Sequence, residues 1–423
     1  MKDILRNLIK KGLFDILGAN LLNRIIGFAS SIVLVRILTK EEFGLYSYAD
    51  NLVKFFLLFN ALGVTAGILQ FCSETRDSDK KYSYFKYGIR LGVLFNFFVS
   101  LLILFYGLLF PLKLENARFI LISMFLLPMV SLLFEAIQMY FRATLQNRYF
   151  SLLSSLNTFL IFLCSILGAY FFQAIGVVLL KYIAYLISIL VGVKLLKDFF
   201  QFIKAPKLLY NERKNFIKFS MVSSFNNAIA QLLYVIDIFL IGILIVDANE
   251  IASYKTATLI PFALNFIPLS IMTFIYPYFA KNHSNKKWIK DNYKKLTKYL
   301  LIINSVISIF LIIFAKFIIK LLFGSQYLDS VYIFQILAFG YFIAGTFRIP
   351  AGNILVMLKK LKFNFYLSII TGILNIVLGI ILIYKFGAIG AAFSTILVFI
   401  FTSLLGSIYL NLVLRRGWDK TLL

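Results

Sequence analysis

Residues 18–38 read GANLLNRIIGFASSIVLVRIL. The apolar run that contains them, from about Leu13 to Leu38, is long enough to cross a bilayer, because roughly 20 helical residues span its ~30 Å hydrocarbon core. Arg24 stands near the middle, where insertion scales put the cost of a charge at about 2.5–3.5 kcal/mol. A guanidinium at that depth has to face a bundle interior or a water-filled cavity rather than lipid.

The rest of the chain repeats this pattern. Of its 423 residues 61% are hydrophobic and 17% aromatic, and the mean hydropathy is +0.90, a balance that only an integral membrane protein sustains. Apolar stretches of span length lie near 14–38, 45–70, 88–110, 118–140, 151–172, 175–195, 216–244, 251–279, 299–320, 330–357, 364–384 and 387–413. The expected architecture is therefore an all-α polytopic membrane protein of about twelve transmembrane helices. The N-terminus is basic and then apolar without a small-residue cleavage site, so the first helix is expected to be retained rather than cleaved as a signal peptide.

The net charge of +25 is a topology signal here, not a nucleic-acid footprint. About 31 of the 43 Lys and Arg fall in alternate connections and at both termini, against about seven on the opposite side. Cytoplasmic loops carry such an excess, so both termini are expected in the cytoplasm. Five bases remain inside the spans: Arg24, Lys54, Lys181, Lys255 and Arg348. The membrane acids are fewer, namely Asp50, Glu135 and Asp237, with Asp15 near a helix start.

Two cysteines, Cys72 and Cys164, lie far apart, and the lone histidine, His283, lies in a basic loop. Neither a disulfide framework nor a metal site follows from them. Phosphate-binding glycine loops, nucleophile elbows and paired-carboxylate spacings are absent from the sequence, which argues against an enzyme and against ATP-driven pumping. No cofactor is expected.

The second half echoes the first. SIVLVRIL (31–38) aligns with DIFLIGIL (237–244), LYSYADNL (45–52) with IASYKTATL (251–259), and AIGVVLLKYIAYLI (174–187) with AIGAAFSTILVFI (388–400). With six spans per half, both repeats enter the membrane from the same side, a transporter plan in which the binding site lies between lobes near the midplane. The lobes are expected at 1–205 and 206–423, joined by the basic segment containing KAPKLLYNERK (204–214).

Asn20, Arg24, Gly27 and Ser31 share one face of the first helix, and Asn226, Ala230, Leu233 and Asp237 share one face of the seventh. Two such polar stripes suggest facing cavity walls, although Asn and Ser also hold membrane helices together. Asp50 and Lys54 form an i,i+4 pair, whereas Lys255 and Lys181, near outer helix ends, are placed to snorkel. Arg348 is too deep for that. Glu135 has Arg142 and Arg148 as candidate partners. Asp237 is either an ion-coupling site or a partner of Arg24, and the sequence does not choose. Pro261, Pro268 and Pro277 are expected to bend the eighth span.

The stretch RIIGFASSIVLVRILTKEEFGLYSYADNLVKFFLLFNALGVTAGILQFCSETRD (24–77) resembles the N-terminal region of Wzx-type O-antigen and capsule repeat-unit flippases. FIIKLLFGSQYLDSVYIFQILAFG (317–340) and GNILVMLKKLKFNFYLSIITGILNIVLGIILIYKFGAIGAA (352–392) resemble their C-terminal lobe. The resemblance covers nearly the whole chain and implies an alternating-access flippase of the bacterial cytoplasmic membrane. Its cargo would be an undecaprenyl-pyrophosphate-linked oligosaccharide.

The same resemblance implies a cationic cavity between lobes, with Arg24 matching the family's first-helix arginine. Lys54, Lys255, Arg348, Asn20 and Asn226 are the companion substrate-binding candidates, and Asp50, Asp237 and Glu135 the candidates for proton or sodium coupling. A glycan polymerase and a chain-length regulator are the partners such a pathway offers. Tyr48, Tyr234 and Tyr254 are candidates for stacking on sugars. A multidrug antiporter of the same superfamily should show a surplus of membrane acids, the reverse of the count here, and a lipid II flippase usually carries two further helices. A glycan polymerase or ligase depends on a long external loop, which this chain lacks.

Overall fold

The computed structural model describes residues 13–196, 203–282, 284–358 and 360–415; His283 falls outside them, as do the side chains of a few helical residues, Asn226 and Tyr234 included. All regular elements among the described residues are helices. Eight of these are long and apolar enough to cross a membrane, and one bent pair raises the number to nine. Two of the eight, Asn147–Leu195 and Leu361–Arg415, are broken by non-helical turns and hold two passes each, and Tyr210–Leu244 adds another. Twelve passes result among the described residues.

We number them α1 (Leu13–Ile37), α2 (Lys40–Glu74), α3 (Ser78–Leu109), α4 (Ala117–Ser123 with Leu127–Ala143), α5 (147–171) and α6 (174–195). There follow α7 (Tyr210–Leu244), α8 (Ala248–Tyr276), α9 (Lys286–Ile313), α10 (Ser330–Met357), α11 (361–386) and α12 (388–415). Thr39, Asp77, Asp247 and Asn285 cap the starts of α2, α3, α8 and α9, each accepting a first-turn backbone N–H that would otherwise lack a partner. In α8 the helix interrupts at Asn265. Pro268, which has no N–H to donate to the carbonyl four residues back, accounts for the break.

The packing forms two compact units, Met1–Val235 and Ile236–Leu423. The sequence reading divides the chain at 205/206 instead. Residues 203–235 belong with the first unit because small residues there admit the start of α7. A Cβ added to Gly63 (φ +72°) would lie 2.3 Å from the Ser220 carbonyl oxygen, and one on Gly67 2.8 Å from the Phe216 ring. Phe216 in turn packs at 5.5 Å from Phe71 and 6.1 Å from Tyr84.

In the hydrophilic extensions of α3 and α7, beyond their apolar stretches, Lys80 pairs with Glu212. Its hydrogen bond holds the Glu212 carboxyl below the usual carboxylate range, and the same bond raises Lys80. Lys86 donates to the carbonyls of Ile203 and Ala205.

Within the first unit, Phe85 and Tyr140 stack at 4.5 Å in the centre of an apolar cluster. Within the second, Phe363 and Tyr409 stack at 3.8 Å. Leu94, Phe98, Ile309 and Ile373 are exposed large side chains of the kind that face lipid in a membrane protein.

One construction occurs twice. The α5–α6 turn passes through Gln173 (φ 54°, ψ −144°), and the α11–α12 turn passes 214 residues later through Gly387 (φ 60°, ψ −143°). Each turn is fixed by a glutamate from the start of an earlier helix: Glu42 accepts the Ala174 N–H at 3.3 Å, and Glu250 accepts that of Ala388 at 3.1 Å. Backbones nearly touch beside each turn. A Cβ on Gly176 would sit 2.1 Å from the Gly168 carbonyl oxygen, and one on Gly390 2.0 Å from that of Leu382.

Candidate functional site

In the first unit α2 does not cross as one helix. Residues Phe59–Leu62 leave helical geometry, with Ala61 (φ 47°) and Leu62 (φ 50°) left-handed. Interrupted backbone inside a bilayer is tolerated only where other protein groups satisfy it. Asn96 of α3, fully buried, does this: its Oδ1 accepts the Ala61 N–H at 2.8 Å, and its Nδ2 donates to Asn60 Oδ1 at 2.9 Å and to the Pro128 carbonyl at 2.7 Å. The Asn60 amide then donates to Glu135 Oε2 at 3.4 Å. Glu135 is therefore tied to the break in α2, not to Arg142 or Arg148.

Before the break, Lys54 donates to Asp50 at 2.5 Å, one turn apart. The lysine side chain remains 52% exposed and the aspartate 24%. The pair anchors a lysine on an open face of α2, where its two remaining N–H groups can meet an anion. Lys181 does not snorkel outward. Its ammonium donates to the Tyr46 hydroxyl and lies 5.0 Å from the Tyr46 ring centroid, because a hydroxyl and an aromatic face within reach satisfy a cation inside the protein.

Asn20 and Arg24 are exposed on α1. On the same helix the Asn23 amide donates to Ser154 of α5 at 2.8 Å. Ser31 donates to its own helix at Gly27. The side chain of Asn226 lies outside the described residues.

The second unit holds a different arrangement. Asp237, 3% exposed, accepts from Tyr254 at 2.6 Å, from Thr395 at 2.8 Å and from Asn375 at 3.2 Å. Ser394 donates to Asn375 Oδ1 at 3.1 Å and so orients the amide. A carboxylate buried inside a membrane bundle is stable only with such donors around it. These three partners of Asp237 come from α8, α11 and α12. Tyr254, fully buried, spends its hydroxyl on Asp237 and has no free face for a sugar; Tyr48 is likewise buried.

Lys255 is half-buried beside Tyr254. Arg348 closes a π-helical turn, Ala344–Arg348, and lies 4.8 Å over the Phe399 ring.

The sequence missed Asn60, Asn96, Asn375 and Thr395. Each is a polar side chain in an apolar helix, the signal that marked Asp237, and in FNALG (59–63) Asn60 and Gly63 flank the left-handed Ala61 and Leu62. Among the described residues no group of three or more His, Cys, Asp or Glu could hold a metal ion.

The passes, the broken helices and the charges within them define a polytopic helical membrane fold. The likeness to solved structures says the same. A structure titled as the lipid II flippase MurJ in an inward closed conformation superposes with a TM-score of 0.75 at 16% identity, covering 95% of this chain and 87% of that one. An inward-facing multidrug resistance MATE family transporter of the MOP superfamily gives 0.75 at 12%, covering 94% and 96%.

Residues 33–332 match the family described as "Polysaccharide biosynthesis protein", and the chain belongs to it. A probable low-salt glycan biosynthesis flippase, Agl15 of Haloferax volcanii, is 26% identical over 201 residues, 47% of this chain and 41% of that protein. The chain matches less than half the length of its curated relatives.

Proposed function

We propose that the protein is a flippase that carries an oligosaccharide linked to a polyprenyl pyrophosphate, undecaprenyl in a bacterial host, from the cytoplasmic to the outer leaflet by alternating access. Both termini are cytoplasmic in this reading, following the charge of the loops. The observation that carries it is Lys54: a lysine inside a membrane span, fixed by Asp50 yet half-exposed, within a family of polysaccharide biosynthesis. Lipid has no use for such a cation, whereas a pyrophosphate is a dense anion that an ammonium or guanidinium binds well away from water.

Arg24 and Arg348 add planar donors for phosphate oxygens, and Lys255 a further charge. Asp50 is assigned to holding Lys54. Coupling falls to Asp237, which exchanges a proton or sodium ion against its three donors, with Glu135 at the α2 break as the second candidate. Arg24→Ala and Lys54→Ala should each reduce export of lipid-linked glycan in cells at least tenfold while leaving membrane insertion unchanged. Wild-type export by both variants would remove the anion-binding role.

A further inference from the structure

On the face opposite the basic loops, the first unit contains a cavity of about 400 Å³, within the ~300–1,000 Å³ of small-molecule sites. Its walls come from three places: Thr39, Glu41 and Glu42 at the start of α2, Asn116 and Phe119 at the start of α4, and Gln173 in the α5–α6 turn.

Gln173 is the telling residue. Its backbone, φ 54° and ψ −144°, lies near a region that is essentially reserved for glycine, and non-glycine residues held in such regions cluster at functional sites. The duplicated turn supplies an internal control, since Gly387 adopts nearly the same angles without a side chain. Both turns keep the glutamate that fixes them, Glu42 and Glu250. They differ at the positions that reach the cavity: Gln173 stands where the second turn has Gly387, and Glu41, beside Glu42, stands where the second has Asn249 beside Glu250.

The lining selects a ligand class. No lysine or arginine is part of it, and the nearby Arg118 is turned to the carbonyls of Gly107 and Leu108. A phosphate group would therefore meet two carboxylates with no cationic side chain in the lining to offset them. One carboxylate oxygen of Glu42 is already occupied by Ala174, and the two glutamates here fall short of a group of three or more acidic, histidine or cysteine ligands, of which the described residues hold none. What remains is Glu41 to accept from hydroxyls, the amides of Asn116 and Gln173 to donate and accept, and Phe119 with Phe172, both about two-thirds exposed, to cover apolar C–H faces.

We infer that this cavity is a saccharide subsite that receives the sugar portion of the cargo, an inference that rests on the flippase reading. The test is saturation-transfer NMR on the full chain in lipid nanodiscs. The probe is the free oligosaccharide that mild acid releases from the host's lipid-linked glycan, and transport of the intact lipid-linked form is measured separately in vesicles. Wild-type protein should give a saturable signal, and Gln173→Gly and Glu41→Gln should each lower it at least fivefold. Gln173→Gly should also melt no lower than wild type, because glycine suits the turn.

An unchanged signal in Gln173→Gly would overturn the proposal. So would a missing signal in wild type, or displacement of the sugar by millimolar calcium, which would make the cavity a cation site. Absent wild-type binding with transport intact removes the subsite alone, whereas absent transport removes the flippase reading.

Discussion

Replacing Asp237 by alanine is the perturbation whose cost the structure specifies most fully. The substitution strands three donors, Tyr254 Oη, Thr395 Oγ1 and Asn375 Nδ2, in a region that is 3% exposed at Asp237. Hydrogen bonds between membrane helices average about 0.6 kcal/mol and reach about 1.7 kcal/mol. Three bonds, two of them at 2.6 and 2.8 Å, therefore give a loss of about 2–4 kcal/mol. Tyr254→Phe removes the first of these and the longer Tyr254–Thr395 contact at 3.4 Å, and should cost about 1 kcal/mol.

The two changes share that bond, so the double mutant should be less destabilised than the sum by about 1 kcal/mol. Reversible unfolding in mixed micelles, on wild type, both single variants and the double, supplies the cycle. A cost below about 0.5 kcal/mol for Asp237→Ala, or strict additivity with Tyr254→Phe, would refute the hydrogen-bonded cluster.

Other consequences follow from named contacts. Asn96→Leu should destabilise the protein by about 2–4 kcal/mol in the same unfolding assay, because the Ala61 N–H and the Pro128 carbonyl lose their buried partner. Gly168→Ala and Gly390→Ala should each cost about 1–3 kcal/mol, since a Cβ would meet carbonyl oxygens at 2.2 and 2.0 Å; Gly352→Ala, with nothing within 4 Å, should be neutral or stabilising.

The Lys80–Glu212 pair should hold above the usual carboxylate range and be lost as pH falls through the lowered Glu212 value. On the alkaline side, loss should come only above the ordinary lysine range, because Lys80 is raised. Hydrogen exchange at Leu209, whose N–H also bonds Glu212, should accelerate on acidification beyond the intrinsic trend and not in Glu212→Gln.

How far the sequence reached depends on the range of the interactions involved. Span length and hydropathy are local, so the helical membrane fold was legible from stretches such as 18–38 alone. Asp237 was legible as a candidate because a lone acid in an apolar helix is conspicuous. Its partners were not, since Tyr254, Asn375 and Thr395 lie up to 158 residues away.

The same holds for Glu135, which pairs with Asn60 across 75 residues while two arginines stand nearer in sequence. Lys181 looked like a snorkelling lysine because Tyr46, 135 residues away, is invisible to helical spacing. The break at Phe59–Leu62 escaped a hydropathy reading because its residues are nearly as apolar as a helix, and only Asn96 reveals what compensates it. Nor does a glutamine at 173 announce a glycine-like turn; only the geometry of its twin at Gly387 makes it notable.

The central claim is tested most directly by movement of the cargo. Purified protein is reconstituted into vesicles with lipid-linked oligosaccharide, and the fraction of sugar open to an added glycosidase is followed in time. The account predicts that wild-type vesicles expose the inner-leaflet sugar and that Lys54→Ala slows this at least tenfold. Wild-type vesicles that expose it no faster than protein-free ones would contradict it.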